Sequence, residues 1–196
     1  MKRVFDLFFS FIAIVLLIIP MILITLIIKI TMPGKIFFIQ QRVGKGRRKF
    51  SLYKFRTMRD SEKAKSGNFD AGDSSRVTTF GKFLRKTKLD EIPQLFNVII
   101  GNMSIVGPRP EVNKWTEVYY EKWEIVLSVK PGITDNASIL FRNEEEVLKN
   151  SDNPDETYFK IILPQKLDLY IKYVQCQNLI EDFKIVIQTI KTVLFK

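Results

Sequence analysis

The chain has no histidine and a single cysteine, Cys176, in 196 residues. Without histidine, histidine-ligated zinc, Ser-His-Asp and Cys-His catalysis are all excluded. Any chemistry falls to carboxylates, Lys, Tyr or a hard metal. One cysteine forbids an internal disulfide and leaves the redox compartment open. Acidic residues are in the minority, 21 Asp and Glu against 31 Lys and Arg, which gives a formal net charge of +10 and a pI near 9.6. That balance points to polyanionic partners: nucleic acid, anionic lipid or phosphate substrates. There is no internal repeat and no heptad run long enough for a coiled coil, and the length suits one compact domain.

What is present is one long apolar run. From Leu7 to Ile28 no residue is charged and nearly all are aliphatic or aromatic. At about 1.5 Å per residue the run reaches roughly 33 Å, enough for a hydrocarbon core of about 30 Å. It is too long for a signal-peptide core, and no small-x-small cleavage site follows. Lys2 and Arg3 precede it; Lys29, Lys35 and the Lys45, Arg47, Arg48, Lys49 cluster follow it. Positive charge on both flanks favours the cytoplasm for both ends, and Pro20 gives the helix a place to bend. An ordinary span with a tolerated proline stays open. The charges and Pro20 together predict a re-entrant helix over 1–32 with a cytoplasmic domain over 33–196.

Beyond it, Ile36–Ile39 and Phe50–Phe55 read as strands around a Gly44-Lys45-Gly46 turn. Residues 60–75 are polar and Gly-rich, an exposed loop. Arg76–Leu89 reads as a basic amphipathic helix, Lys114–Val129 as a helix and Val129–Thr134 as a turn. Glu144-Glu145-Glu146 reads as a charged helix start. Tyr158–Gln175 is helical with a break or first turn at Pro164. The last segment carries a stripe at helical spacing, from Leu179 through Phe183 and Ile187 to Leu194, which packs on the core or lies in a membrane interface. The class expected is α/β, helix-dominated with a small sheet, docked on a membrane by the N-terminal helix and interfacial amphipathic helices.

The central stretch is Lys88-Leu89-Asp90-Glu91-Ile92-Pro93-Gln94-Leu95. Ile92, Leu95, Phe96, Ile99 and Ile100 share one helix face; Pro93 suits the first turn and Gly101 the stop. Asp90 and Glu91 then lie at a helix start, behind Lys82, Arg85, Lys86 and Lys88. Two readings fit. One is an acidic cap on a core helix with a solvated basic flank. The other is a carboxylate pair that holds a metal and a phosphate. Downstream, Pro108 and Pro110 stiffen the backbone around Arg109, whose planar fork suits two phosphate oxygens or a structural pairing with Glu111 or another acid.

Taken together, Gln41-Arg42-Val43-Gly44, Leu52-Tyr53-Lys54-Phe55-Arg56-Thr57-Met58, Arg76-Val77-Thr78, Leu84-Arg85-Lys86-Thr87, Leu89 to Leu95, Val106-Gly107-Pro108-Arg109-Pro110 and Lys130-Pro131-Gly132-Ile133-Thr134 resemble the bacterial sugar-transferase family. These are the monotopic polyprenyl-phosphate phosphoglycosyl transferases, and the blocks run in order over nearly the whole chain. The resemblance implies transfer of a sugar 1-phosphate from a UDP-sugar to a polyprenyl (undecaprenyl) phosphate, with release of UMP. In the family the Asp of the Asp-Glu dyad, here Asp90, is the nucleophile. Glu91 is its partner, and Mg²⁺ is required, with both carboxylates as its ligands. Arg85, Arg109, Arg142, Lys54 and Arg56 fall where the family holds substrate phosphate. The setting implied is the cytoplasmic face of the bacterial inner membrane, among its lipids, with no nucleic acid and with a homo-oligomer left open. The chain departs from the family in two places. Ile19 stands where a serine commonly precedes the helix-breaking proline, and Asp135-Asn136-Ala137-Ser138-Ile139 replaces the usual Gly-x-Ala-Gln-Val after Pro-Gly-Ile-Thr.

Two other classes account for part of the pattern. A non-enzymatic membrane-surface adaptor binding anionic lipid explains the anchor and the charge, but not an Asp-Glu pair beside Arg-rich loops. A tethered nucleic-acid binder explains the charge, but no aromatic stacking platform or reading helix is evident.

Overall fold

The computed structural model describes residues 1–59 and 76–194; the loop expected over 60–75 lies outside the described residues. The fold is helix-dominated, as expected. The small sheet is two separate two-stranded ribbons.

Helix α1 (Lys2–Thr31) runs unbroken through Pro20. Its lipid-like face, including Phe8, Phe11, Leu16, Ile19 and Ile30, is exposed, while Asp6, Ser10, Ile24 and Ile28 are buried. These four residues follow helical spacing, so one stripe meets the rest of the chain. It does so at both ends. Near the start, Asp6 Oδ1 accepts hydrogen bonds from Ser104 Oγ (2.9 Å) and Ile105 N (3.0 Å). Lys2 pairs with buried Asp182, and Arg3 donates to the carbonyls of Val98 (2.5 Å) and Ile99 (2.8 Å). Near the end, Ile24, Ile28 and Met32 pack with Phe55 and Leu84.

Strands β1 (Phe37–Val43) and β2 (Lys49–Phe55) form an antiparallel hairpin with Phe37 opposite Phe55 and Val43 opposite Lys49. The turn between them is the predicted one, a short 3₁₀ segment over Lys45–Arg47 with Gly46 at φ 61°. Helix α2 (Thr79–Lys86) is shorter than the 76–89 expected, because Thr78 caps it through its side chain and Val77 is held in a bridge to Met58. After α3 (Gln94–Ile100), strand β3 (Ser104–Val106) pairs in parallel with β4 (Gly132–Thr134), so the Val129–Thr134 turn ends in a strand. The two backbones touch: a side chain at Gly132 would place its Cβ 2.1 Å from Gly107 N, a contact only glycine permits.

The helix expected over 114–129 is two pieces, α4 (Asn113–Thr116) and α5 (Tyr120–Val126), broken by Tyr119 at φ 56°. Tertiary contacts account for the break. The Tyr119 ring packs on Phe159 and its hydroxyl donates to Phe159 O (3.3 Å), while Trp115 packs on Tyr158. Short helices α6 (Asn136–Leu140), α7 (Glu144–Lys149) and α8 (Pro154–Thr157) follow. A single π-turn over Tyr158–Ile162 then leads into α9 (Leu163–Cys176), with Pro164 in its first turn. The main core lies where α5, α6 and α9 meet: Trp123, Val126, Ala137, Leu163, Leu167 and Tyr170 are all buried there. On the last helix, α10 (Leu179–Leu194), the apolar stripe divides. Ile185 is buried with Val106 and Tyr173, whereas Ile180, Phe183, Ile187 and Ile190 are exposed.

Candidate active site

Asp90 and Glu91 occupy a 3₁₀ turn over Leu89–Glu91, entered through Lys88 at φ 58°. Pro93 stands at the cap of α3 rather than within it, and Gly101 ends that helix at φ 101°. The left-handed lysine turns the chain so that both carboxylates fold inward, and each is less than a tenth exposed.

Glu91 carries two cations. Lys54 Nζ donates to its Oε1 at 2.9 Å. Arg109 grips both oxygens, Nη1 to Oε2 at 3.2 Å and Nη2 to Oε1, the bidentate geometry that only a guanidinium supplies. Burial alone would raise the Glu91 pKa, but Arg109 and then Lys54 outweigh it and hold the group well below the usual carboxylate range. The Arg109 pKa is raised in return, chiefly by Glu91. That of Lys54 is lowered by its burial, against the pull of Glu91.

Asp90 is the contrast. Its Oδ1 is buried without a hydrogen-bond partner among the described residues. Burial, with the charge of Glu91 second, pushes its pKa up to about 6, while Lys54, Lys88 and Arg109 pull it down. At pH 7 it is then roughly nine-tenths ionised: a bare, basic carboxylate beside a clamped, acidic one. Two neighbouring acids driven to opposite roles mark a reactive pair.

The Arg109 loop is held from both sides. Arg42 Nη1 donates to Pro110 O (3.3 Å) and to Glu111 Oε2 (3.1 Å). Glu111 also accepts from the Tyr158 hydroxyl (2.5 Å), with Lys166 Nζ 3.7 Å away. Arg109 therefore pairs with Glu91, and Glu111 serves the loop beneath it.

A cavity of about 360 Å³ lies over this turn. Lys88, Glu91 and Arg109 line its floor, Arg142, Glu144 and Lys166 one wall, and Ala13 and Leu17 of α1 its roof. Asp90 lies between Lys88 and Glu91 without lining the cavity itself. Of the residues marked in the sequence, the structure brings Lys54 and Arg109 onto Glu91, beside Asp90. Arg142 sits in the cavity wall, donating to Thr192 O. Arg85 stands behind that wall, bonded to Thr57 Oγ1 (3.0 Å) and paired with Glu145 (3.4 Å). Arg56 lies elsewhere, donating to the carbonyls of Met32 and Pro33 (3.1 Å to the latter) at the end of α1. Sequence reasoning gave no role to Lys88, Lys166 or Glu144. Lys88 was visible as one of several flanking cations, and only its backbone conformation singles it out. Lys166 is one lysine in a helical pattern until the fold buries it against Glu144 (3.0 Å).

For a metal, the donor set is small. Among the described residues no three His, Cys, Asp or Glu converge, and both oxygens of Glu91 already carry cations. The bare Oδ1 of Asp90 fits a hard divalent ion that draws its remaining ligands from substrate phosphate and water.

Comparison with known proteins gives the family. The bacterial sugar transferase family model matches residues 1–196. The chain is 35% identical to the UDP-N-acetylgalactosamine-undecaprenyl-phosphate N-acetylgalactosaminephosphotransferase of Aeromonas hydrophila, over 98% of this chain and 43% of that protein. It is 34% identical to an uncharacterized sugar transferase, EpsL, of Bacillus subtilis, over 99% of this chain and 87% of that protein. With the UDP-glucose:undecaprenyl-phosphate glucose-1-phosphate transferase of Escherichia coli it shares 35% identity, over 90% of this chain and 37% of that protein. The chain thus spans less than half the length of the two relatives whose names state a reaction. The family match itself extends over the whole sequence, and on that ground the chain belongs to the bacterial sugar transferase family.

Proposed function

We propose that the chain transfers a sugar 1-phosphate from a UDP-sugar to undecaprenyl phosphate, through a covalent phosphosugar on Asp90. The observation that carries this reading is the pairing of a bare, basic Asp90 with a Glu91 clamped by Arg109 and Lys54. The names of the Aeromonas and Escherichia relatives supply the substrate classes.

In the first step an oxygen of Asp90 attacks the sugar-bearing phosphorus of the UDP-sugar. The bond from that phosphorus to the bridging oxygen breaks, and UMP leaves with the electron pair. In the second step a phosphate oxygen of the acceptor attacks the same phosphorus, and the Asp90 carboxylate leaves. An acyl phosphate divides one difficult transfer into two. A carboxylate with a raised proton affinity is a better nucleophile than an ordinary one, yet stays mostly ionised at neutral pH. Glu91 keeps Arg109 and Lys54 fixed beside the reacting phosphorus, where cations offset the charge that would repel an attacking carboxylate. Asp90 would hold a Mg²⁺ ion, which would supply further charge neutralisation when bound.

The same reading puts α1 in the membrane as a re-entrant helix, with the domain on the cytoplasmic face. The support is that residues near positions 2–10 and 24–32 both pack on one domain. If α1 spanned the bilayer, one domain would have to meet it on both sides of the membrane. Ile19 offers no hydroxyl before Pro20, and α1 is tied to the domain instead by side chains at each end. The test is release of UMP from a panel of UDP-sugars by the detergent-solubilised chain, with undecaprenyl phosphate and Mg²⁺. Turnover of at least one donor is expected. Lipid binding without any UMP release would leave the membrane-adaptor reading instead.

A further inference from the structure

The inward stripe of α1 is not uniformly packed. Asp6, Ser10, Ile24 and Ile28 are each at most 5% exposed, whereas Ala13 and Leu17, between them on the same stripe, are only partly covered. Those two roof the cavity. The helix rests on the domain at its two ends and bridges an opening at its middle. Across the opening stand Thr189, Thr192 and Val193 of α10, with Ile92, Leu95 and Ile139 below. The upper part of the cavity is therefore mostly apolar, and its roof is the helix whose other face is apolar and exposed.

The cations in the lower part differ in how they are engaged. Arg109 and Lys54 both hold Glu91, and Lys166 holds Glu144. Arg142 donates to the carbonyl of Thr192. Neither Arg142 nor Lys88 has a carboxylate in hydrogen-bond contact among the described residues. A ligand complementary to this cavity has an anionic head and an apolar body. A UDP-sugar has no such body.

Resting on the reading above, we infer that this cavity seats the acceptor. The prenyl chain passes beneath Ala13 and Leu17, between α1 and the last turns of α10, and its phosphate is received by Arg142 and Lys88. Arg142 then serves the second half-reaction, while Arg109 with Lys54, beside the phosphorus common to both steps, serves both. The carbonyl bond from Arg142 to Thr192 ties the acceptor's phosphate site to the helix that forms one side of its passage.

The test uses the full chain in detergent, with whichever UDP-sugar it turns over and two acceptors, undecaprenyl phosphate and a short, water-soluble prenyl phosphate. Ala13→Phe fills the roof and should raise KM for undecaprenyl phosphate tenfold or more, with less effect on the short acceptor, and leave KM for the UDP-sugar within about twofold. Arg142→Gln should raise KM for both acceptors and not for the donor. Leu16→Phe, on the exposed face of α1, controls for added bulk and should change neither constant. Donor and acceptor constants rising together in Ala13→Phe or Arg142→Gln would make this the donor's cavity and overturn the inference. So would an unchanged acceptor KM in Ala13→Phe. Exchange of labelled UMP into the UDP-sugar without acceptor reports the Asp90 half-reaction separately, and its presence in each variant shows that the chain has folded. Its absence from the unaltered chain with every donor would overturn the covalent reading, and this inference with it.

Discussion

Replacing Asp90 by Asn should make the protein more stable and inactive at once. Burial and the Glu91 charge raise the Asp90 pKa from an ordinary 3.8 to about 6, so folding favours the neutral acid. Stability from this group is fully present below about pH 4 and is lost as pH rises through about 6. The rise is worth at most about 3 kcal/mol, at 1.36 kcal/mol for each tenfold in proton affinity. Asn escapes that loss, but its amide N–H groups also need partners in a site where Asp90 Oδ1 has none, which offsets roughly 1–2 kcal/mol. A net gain of about 1–2 kcal/mol at pH 7.5 is expected, or a Tm higher by about 2–8 °C for a chain of this size. The gain should shrink toward zero or below at pH 4. Thermal unfolding of both proteins in EDTA, at pH 4 and pH 7.5, measures it, since a bound cation would stabilise the carboxylate and mask the effect. Turnover and covalent labelling by the sugar phosphate should both vanish, because an amide forms no acyl phosphate. A stability difference independent of pH would refute the electrostatic account of Asp90. Near-normal turnover in a deamidation-free sample would refute its role as nucleophile.

The other expectations concern its neighbours. Arg109→Lys keeps the charge and loses the two-point grip on Glu91, so kcat/KM for the UDP-sugar should fall about tenfold or more; a change under twofold would remove the fork from the mechanism. Glu91→Gln removes a like charge that raises the Asp90 pKa, so the acid limb of the pH–rate profile, expected near pH 6 in the unaltered chain, should move to lower pH while the maximal rate drops and the Mg²⁺ requirement rises. An unmoved limb would mean that Glu91 does not act on Asp90 electrostatically. Asp6→Ala strands the Ser104 hydroxyl and Ile105 N–H, at a cost on the order of 1–3 kcal/mol, and should loosen the start of α1. With single cysteines at position 2 or 33 in a Cys176→Ser background, an impermeant maleimide added outside intact cells should label neither in the unaltered helix. Labelling of position 2 there would make α1 an ordinary span.

Much of this protein is local in origin and could be read without the fold. An uncharged run with basic flanks specifies a long apolar helix, a candidate for membrane insertion, through composition alone. Apolar segments on either side of Gly44-Lys45-Gly46 indicate the β1–β2 hairpin, because a turn acts over a few residues, although β1 runs to Val43 and not to the Ile39 expected. The Asp90-Glu91 pair and the proline-bracketed Arg109 were legible for the same reason. Local pattern overextended α2 and joined α4 to α5, since the capping bond of Thr78 and the packing of Tyr119 on Phe159 enter through no periodicity. Tertiary structure alone made the two carboxylates unequal. Burial strips water from both, but Lys54 and Arg109, distant in sequence from Glu91, act on both and hydrogen-bond only to Glu91. Nor does any pattern along the chain say that α1 rests on the domain at Asp6 and Ile28 and stands clear at Ala13. That depends on which side chains α10, β3 and α3 bring beneath it.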